Sequence, residues 1–356
     1  MSLFFELIQV ALGRKASLSR TPSTEEWQEL YVLSKKQALL GINYVAIERL
    51  PKEQRPPRKL LLQWCLAAER IKERNTELNN KIPEISRRFA NDGFPNLILK
   101  GQGIAQYYAV SNLEQYRTPG DADIWLKGNR KDIIAYVRKY SPSCHAVYHH
   151  VDYPETDSVH IEIHFTPSWM NCYFTNRRLQ HYFNQCNEFK RSIKTNSIPT
   201  PSLGFNRVYI LIHIYRHLFH EGIGLRQIMD YYFVMLQGMT GKERAETMQI
   251  INSLKMGRFA ASVMWVMQEV FGMEEQYMLN APNETDGKFL LEEIMLAGNL
   301  GLYDKRISRS RSESDLSFGL RKVKRNFRFL YSYPSEVLWS PLFKLWHYFW
   351  RKNINH

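Results

Sequence analysis

Cysteine is scarce in this sequence, with four among 356 residues and no Cys-x-x-Cys arrangement. Four cysteines are too few for a disulfide framework in a chain of this length, so we expect reduced thiols and a cytoplasmic protein. Long uncharged apolar runs are missing as well, because no stretch reaches the roughly 18 to 20 residues that a membrane-spanning helix requires. These absences exclude a disulfide-rich secreted domain and an integral membrane protein.

The start of the chain also lacks the features of a secretory signal peptide. MSLFFELIQVALGRK contains a short apolar run, but Glu6 interrupts it, no basic segment precedes it and no small-residue cleavage site follows. We therefore predict an amphipathic helix here. Signatures of RRM, KH, zinc-finger and helix-turn-helix modules are missing too, so the sequence offers no specific nucleic-acid motif.

What is present is a globular composition with a basic balance. Hydrophobic residues make up 44% and aromatic residues 13%, and 48 Lys and Arg against 35 Asp and Glu give a net charge of +13. Such a charge attracts polyanions, nucleotide phosphates or an anionic membrane surface without choosing among them. A basic protein with an ordinary solvated surface is the alternative interpretation.

Three regions follow one another in the pattern of apolar residues. Residues 1–93 show helical spacing, including a Ser-x-x-Glu cap at Ser23. Residues 94–200 alternate short strand-like and helical segments, and residues 201–356 are helical again apart from the basic, Ser-rich stretch DKRISRSRSESDLS, which predicts an exposed loop. We predict an α+β fold: a small mixed β-sheet flanked by a helical N-terminal lead-in and a C-terminal helical domain.

Two carboxylates stand at the start of an apolar strand in RTPGDADIWL. Alternate residues of a strand face the same side, so Asp121 and Asp123 point the same way. In VHIEIHF the polar side carries Glu162, which becomes a third acid at the same point if the two strands are neighbours. Three hard oxygen ligands suit Mg²⁺ or Mn²⁺. The sequence therefore predicts that a divalent metal compensates these carboxylates.

The same segments resemble a known signature. LKGQGIAQYY, RTPGDADIWL and VHIEIHF are similar to the motifs of the nucleotidyltransferase superfamily that includes DNA polymerase beta. With the later GLRQIMD, their order resembles more closely an uncharacterised bacterial nucleotidyltransferase-like family, over residues 98–232. The resemblance implies a nucleotidyltransferase-type sheet and a Mg²⁺-dependent (or Mn²⁺-dependent) enzyme. It would transfer a nucleoside monophosphate from a nucleoside triphosphate, with ATP expected, to an unidentified hydroxyl acceptor.

The resemblance also implies roles for particular residues. Asp121, Asp123 and Glu162 correspond to the catalytic, metal-binding acids. The wider superfamily usually places a serine after its glycine pair, whereas this chain has Gln102-Gly103, so Lys100 is the group that can contact phosphate here. The residues expected to contact the nucleotide are Lys100, Gly101, Arg117, His164, His217, Arg226 and Asp230.

Several of these residues have plainer alternatives. His213, His217 and His220 share one helix face, which is compatible with a zinc site, but no HExxH motif accompanies them and a cleft-lining role is favoured. Arg117 is equally compatible with a surface ion pair. Arg226 and Asp230, four residues apart, are compatible with a helix ion pair.

The C-terminal tail offers a different hypothesis. RKVKRNFRFLYSYP followed by LWSPLFKLWHYFW mixes basic, aromatic and apolar residues as interfacial helices do, which suggests weak contact with an anionic membrane. Packing on the parent domain is the alternative, and Pro341 interrupts the pattern. Two rival functions stay open: a metal-dependent phosphohydrolase in which His164 helps to activate water, and a non-catalytic nucleotide-binding or membrane-peripheral protein.

Overall fold

The computed structural model describes residues 2–156, 159–191, 193–195, 198–307 and 315–355. The α-helices of these residues are α1 (Leu3–Ala11), α2 (Thr24–Lys36), α3 (Leu40–Arg49), α4 (Arg58–Asn91), α5 (Gln102–Ala105), α6 (Arg130–Arg138), α7 (Tyr173–Gln185), α8 (Glu188–Arg191), α9 (Leu203–His220), α10 (Leu225–Met235), α11 (Gly241–Ser253), α12 (Gly257–Phe271), α13 (Glu284–Ala297), α14 (Asp315–Asn326) and α15 (Pro334–Asn355). The strands are β1 (Asn96–Ile98), β2 (Ala122–Leu126), β3 (His150–Thr156), β4 (Val159–His164), β5 (Ile193–Thr195) and β6 (Ile198–Thr200). Short 3₁₀ helices span Lys52–Gln54, Gln106–Ser111, Glu114–Tyr116, Glu275–Tyr277, Asn299–Gly301 and Phe327–Phe329. The predicted α+β class is confirmed.

The N-terminal helices are buried more deeply than their sequence predicts. The Ser23 cap is confirmed, because its side chain accepts from the Glu26 backbone N–H and the Glu26 side chain accepts in return. The helix predicted at the N-terminus is confirmed as α1, but none of its residues is fully exposed to solvent, and even Glu6 is only 4% exposed. Its carboxylate accepts from the Ser19 N–H at 2.8 Å and lies 3.5 Å from Lys15 Nζ, which makes the burial of a charge tolerable.

Two hydrophobic clusters organise the chain. The larger one joins side chains of α1, α3, α9, α10 and α12, so helices from both ends of the sequence pack together. The smaller one lies between the four-stranded sheet and helices α4 and α6. The division at 93/94 and 200/201 stays a prediction.

The four-stranded sheet has the order β1-β2-β4-β3. Strands β2 and β4 are parallel with Asp123 opposite Glu162, and β3 is antiparallel to β4 with His150 opposite His164. The prediction that the two acid-bearing strands are neighbours is therefore confirmed. The β5–β6 hairpin was not predicted, and β3 begins at His150, several residues after the strand start expected from AVYHHVDYP.

Three local predictions need correction. QGIAQYYAV is an α-helix only over Gln102–Ala105 and continues as a 3₁₀ helix. Pro341 does not interrupt the tail, because α15 runs through it; a proline removes one backbone hydrogen bond, which a packed helix can tolerate. Of the predicted exposed loop, residues 308–314 lie outside the described residues, while Asp304 is 3% exposed because Arg306 pairs with it at 2.8 Å.

Candidate active site

A cavity of about 510 Å³ lies between the β2–β4 end of the sheet and the C-terminal helices. The sheet side of its wall comes from Lys100, Gly101, Asp121 and Glu162, together with the segment before β3. The opposite side comes from α9, α10 and α15. Residues far apart in sequence therefore face one cavity.

Asp123 is the most deeply buried acid beside this cavity, with 0% of its surface exposed. Its Oδ1 lies 2.9 Å from Lys100 Nζ and accepts a hydrogen bond of 2.9 Å from His164 Nε2. Its Oδ2 is buried and has no hydrogen-bond partner among the residues that the structure describes. One oxygen is thus compensated by the protein's own cations, and the other is left for a ligand.

Glu162 and His164 form one hydrogen-bonded unit with Asp123. His164 Nε2 lies 3.3 Å from Glu162 Oε2, and His150 Nδ1 lies at the same distance from that oxygen. Burial alone would raise the pKa of Glu162, but the His164 hydrogen bond and the Lys100 charge bring that pKa well below the usual carboxyl range. Burial alone would lower the pKa of His164, yet its two carboxylate partners raise it above the ordinary histidine value.

Asp121 precedes β2 and lines the cavity. Burial, and next the charge of Asp123, raise the pKa of its carboxyl, while Lys100 acts in the opposite direction. Asp121, at the cavity wall, is therefore repelled by the buried Asp123 beside it. A bound cation would relieve that repulsion.

The Lys100–Gly101 turn brings the lysine to the acids. Gly101 has φ +59° and ψ −116°, a conformation that residues with a side chain rarely adopt. A Cβ at this position would lie 3.3 Å from the Asp121 carbonyl oxygen, so the turn packs directly on the backbone before β2. Glycine here keeps Lys100 Nζ within reach of Asp123.

Arg117 and Asp230 form a buried ion pair, which differs from both of the simple alternatives in the sequence. Arg117 Nε and Nη2 donate to the two Asp230 oxygens at 2.7 and 2.8 Å, and Tyr108 Oη donates to Asp230 at 2.7 Å. Arg117 is 2% exposed, so this is no surface pair. Burial alone would raise the pKa of Asp230, but Arg117 holds it below its usual value. Both residues line the cavity with their charges already matched.

Arg226 is not the partner of Asp230 that the four-residue spacing suggested. Its Nη1 donates to the Thr118 carbonyl oxygen at 3.1 Å, and its Nε is buried without a hydrogen-bond partner within the described ranges. Burial, and then the Arg117 charge, lower the pKa of Arg226. A Cβ at Gly120 would lie 3.3 Å from Nη1, so the glycine of the Pro-Gly turn leaves room for the guanidinium.

Helix α9 presents a polar face to the cavity through His213, Arg216, His217 and His220. Arg216 stacks on the Trp169 ring at 4.1 Å, and its Nη2 lies 2.9 Å from His217 Nε2. His217 Nδ1 in turn lies 2.9 Å from a Glu221 oxygen. The cleft-lining position favoured for these histidines agrees with this geometry, and their roles stay predictions.

Helix α15 closes another part of the cavity with Phe343, Lys344 and His347. Burial, together with the charges of Lys322 and Arg325, lowers the pKa of Lys344. The helix is fastened by Glu336, whose carboxylate accepts from the backbone N–H groups of Asn171 and Cys172 at 2.7 and 3.2 Å. Burial raises the pKa of Glu336 to about 7.

The ten residues proposed from the sequence thus lie in or beside one cavity, but not in the predicted arrangement. Among the described residues, the groups whose ligand atoms all lie within 4.8 Å are His149–His150–Glu162–His164 and Asp152–His160–Glu162, and neither contains Asp121 or Asp123. Sequence reasoning missed Arg216, Lys344 and the His149–His150 pair. Arg216 could have been found, because the spacing that gathers His213 and His220 on one face of α9 includes it.

A comparison with known families identifies the class of protein. The model of a family described as "Uncharacterised nucleotidyltransferase" matches residues 23–272, more than half of the chain. The chain belongs to this family, and its class of enzyme is that of the nucleotidyltransferases. The match includes the site from Lys100 to Asp230 and ends before α13, α14 and α15. A search of curated proteins found no match. None of the described helices is long and apolar enough to cross a membrane.

Proposed function

We propose that this protein transfers a nucleoside monophosphate from a nucleoside triphosphate, with ATP as the expected nucleotide, to a hydroxyl acceptor with the aid of Mg²⁺ or Mn²⁺. The observation that carries the proposal is the pairing of Asp123 with Glu162 on adjacent parallel strands, beside a cavity whose opposite wall includes Arg216, Arg226 and Lys344. Transfer of a phosphoryl group requires carboxylates that hold a metal cation and positively charged side chains that hold the phosphates.

The cationic wall supports binding of a polyphosphate. Arg216, Arg226 and Lys344 line the cavity, and none of the three forms an ion pair with a carboxylate within the described ranges. Burial is the first cause of the lowered pKa of each group. All three side chains are partly exposed and lie beyond ion-pair distance of the described carboxylates, so an anionic ligand would stabilise this wall. A triphosphate carries negative charge on three successive phosphates, so it can contact several of these cationic side chains at once.

The acids support binding of a divalent cation. Asp123 Oδ2 has no hydrogen-bond partner among the described residues, and the pKa of Asp121 is raised by burial and by the charge of Asp123. A cation that prefers oxygen ligands would pair with both carboxylates, and Glu162 supplies a further oxygen. When such an ion is bound, it neutralises charge on the transferring phosphoryl group. Lys100 holds Asp123 in place, while Arg216 and Arg226 orient the phosphates.

A product assay tests the proposal. Each of the four nucleoside triphosphates, labelled at the α-phosphate, is incubated with the full chain, Mg²⁺ or Mn²⁺, and a panel of sugars, RNA ends and protein hydroxyls. We expect label on one acceptor class, release of pyrophosphate, and loss of both in Asp121→Asn but not in Glu246→Gln, an exposed acid on α11. Full transfer by Asp121→Asn would overturn the assignment of the acids. Hydrolysis without any acceptor would indicate the phosphohydrolase, and nucleotide-induced thermal stabilisation without product would indicate a binding protein.

We further propose that the outer face of α15 contacts anionic membranes. Leu338, Leu342, Leu345 and Phe349 recur at four- and three-residue steps along this helix, and each is more than half exposed. The segment from residue 315 to the C-terminus carries eight Lys and Arg against two acidic residues. An apolar stripe within a basic segment fits a bilayer that carries negative headgroups.

A further inference from the structure

The strongest cluster of metal-ligating side chains includes Glu162, one of the three predicted acids. We propose that His149, His150, Glu162 and His164 form a second cation site, specific for a nitrogen-preferring transition ion of the Zn²⁺ or Co²⁺ kind. The site shares Glu162 with the proposed reaction but does not depend on it. No motif of the sequence pointed to this set, because its members come from two strands and the loop before β3.

The atoms lie at the distances that a small ion requires. His149 Nε2 lies 3.0 Å from His150 Nδ1, which lies 3.3 Å from Glu162 Oε2, which lies 3.3 Å from His164 Nε2. One ligand atom of each residue falls within 4.8 Å of all the others. Ligands about 2.0–2.1 Å from a tetrahedral ion are roughly 3.3–3.4 Å apart along each edge. Three successive edges of such a tetrahedron are therefore already close to formed.

The chemistry of these donors selects the class of ion. Three imidazole nitrogens and one carboxylate suit Zn²⁺, Co²⁺ and related ions, whereas Mg²⁺ prefers oxygen ligands and keeps several waters. Glu162 supplies one negative charge, and each imidazole binds an ion in its neutral form. His164 Nε2 must therefore lose the proton that it donates to Asp123 Oδ1, so ion binding breaks this hydrogen bond and releases a proton. His149 and His164 are 4% and 2% exposed, so an ion here would be largely shielded from water.

Two neighbouring charged residues affect the histidines of the cluster in opposite ways: Asp152 favours ion binding by His150, and Arg216 opposes ion binding by His149. Asp152 Oδ1 lies 3.6 Å from His150 Nε2, the nitrogen that stays protonated when Nδ1 binds an ion, so its charge favours His150 as a ligand from just beyond hydrogen-bond distance. Arg216 Nη1 lies 3.3 Å from His149 Nε2 and competes with an ion for that nitrogen. Removal of Arg216 should therefore strengthen ion binding.

Cobalt spectroscopy on the metal-stripped full chain tests the site. Titration with Co²⁺ should give one equivalent of tightly bound ion with the strong visible absorption of tetrahedral coordination, and Zn²⁺ but not millimolar Mg²⁺ should displace it. His149→Gln and His150→Gln should each weaken binding by at least about 100-fold, since loss of a supporting group alone costs 10–100-fold. His145→Gln, an exposed histidine outside the cluster, should bind like wild type, and Arg216→Gln should bind more tightly.

The outcomes separate this site from the proposed reaction. Any of three results would overturn the second site. They are no visible absorption in wild type, wild-type cobalt affinity in both His149→Gln and His150→Gln, and displacement of cobalt by Mg²⁺. The wild-type titration decides even if a variant fails to fold, which thermal melting would reveal. Asp121→Asn should lose transfer while keeping the cobalt spectrum. Transfer without cobalt binding would refute only this site, and cobalt binding without transfer would refute only the proposed reaction.

Discussion

The two walls of the cavity treat their charges differently. On the sheet side, Asp123 and Glu162 are held by Lys100, His164 and His150 through contacts of 2.9–3.3 Å. On the helix side, Arg216 and Lys344 make no ion pair with a carboxylate within the described ranges. The acids are therefore largely compensated within the protein, whereas Arg216 is compensated chiefly by the charge of Glu221, beyond ion-pair distance.

This difference indicates which part of a ligand each wall recognises. A polar group buried without its partner costs free energy, so the cationic wall gains most from an anion. The acidic wall gains less from a cation, because Lys100 already supplies a positive charge, and only Asp123 Oδ2 and Asp121 remain to be matched. We infer that phosphate recognition and cation binding are divided between the two walls, and the following changes test that division.

The largest effect is expected on the acidic wall. Asp123→Asn removes the charge that Lys100 and His164 share and the oxygen left for a cation, so we expect at least a roughly 10³-fold loss of transfer, at the upper end for loss of one electrostatic group. Single-turnover assays with labelled nucleotide measure it. Asp132→Asn, an exposed acid at the start of α6, serves as the control and should keep full activity.

The next effect concerns the ion pair that joins the two walls. Asp230→Asn leaves the Arg117 guanidinium buried without its carboxylate, so we expect a loss of about 3–5 kcal/mol in the free energy of unfolding. Urea denaturation measures it. Asp286→Asn is the matched comparison, because Arg258 holds it through two similar bonds but is 38% exposed. A larger loss for Asp286→Asn than for Asp230→Asn would contradict the role given to burial.

Glu336 tests how α15 is held in the cationic wall. Burial raises its pKa from the 4.5 of a free carboxyl to about 7. Between these two pH values the folded protein binds more protons than the unfolded chain, so stability falls as pH rises and the loss is complete above pH 7. The effect is up to about 3 kcal/mol.

Comparison of wild type with Glu336→Gln isolates this carboxyl. Urea unfolding at pH 4.5, 5.5, 7 and 8.5 should show a steeper decline in wild type, and amide hydrogen exchange of α15 should follow the same difference. Parallel pH curves for the two proteins would show that Glu336 does not govern the docking of α15.

Arg216 tests phosphate recognition directly. Arg216→Gln keeps a polar side chain of similar length but removes the charge and the stacking on Trp169, so we expect roughly a 30- to 100-fold fall in kcat/KM for the nucleotide, chiefly through KM. Arg178→Gln, on the exposed surface of α7, should leave kcat/KM unchanged. An unchanged KM in Arg216→Gln would place the phosphates elsewhere.

The sequence predicted the acidic wall better than the cationic one, for a physical reason. Alternation along a strand is a local property, so DADIWL and VHIEIHF were sufficient to assign Asp123 and Glu162 to the polar side of their strands, and the pairing of β2 with β4 brings them together. The partner of a buried charge is decided by tertiary packing. Arg117 and Asp230 are 113 positions apart, and local spacing pointed to Arg226 instead.

The tail shows the same limit. Its composition predicted an interfacial helix, but nothing local indicated that Lys344 and His347 would line the cavity. Helical periodicity separates two stripes on α15 once one side is known to be packed: Glu336, Ser340, Phe343 and His347 turn inward, while the leucine stripe faces out. The catalytic roles of the residues stay predictions on both walls.

The smallest effect is expected on the outer face of α15, where it should leave the cavity unaltered. Leu342→Glu and Leu345→Glu change two side chains that are 57% and 59% exposed, so the fold should lose little stability. Sedimentation with vesicles that contain phosphatidylserine should fall about 5- to 10-fold at low salt, because each change removes apolar contact and adds a charge that the headgroups repel. Neutral vesicles and Leu62→Glu, an exposed leucine on α4, are the controls. Nucleotide transfer should be the same in all these proteins, since the residues of α15 that face the cavity are unchanged. If wild type sediments equally with neutral and anionic vesicles, the membrane proposal is wrong and the cavity assignment is unaffected.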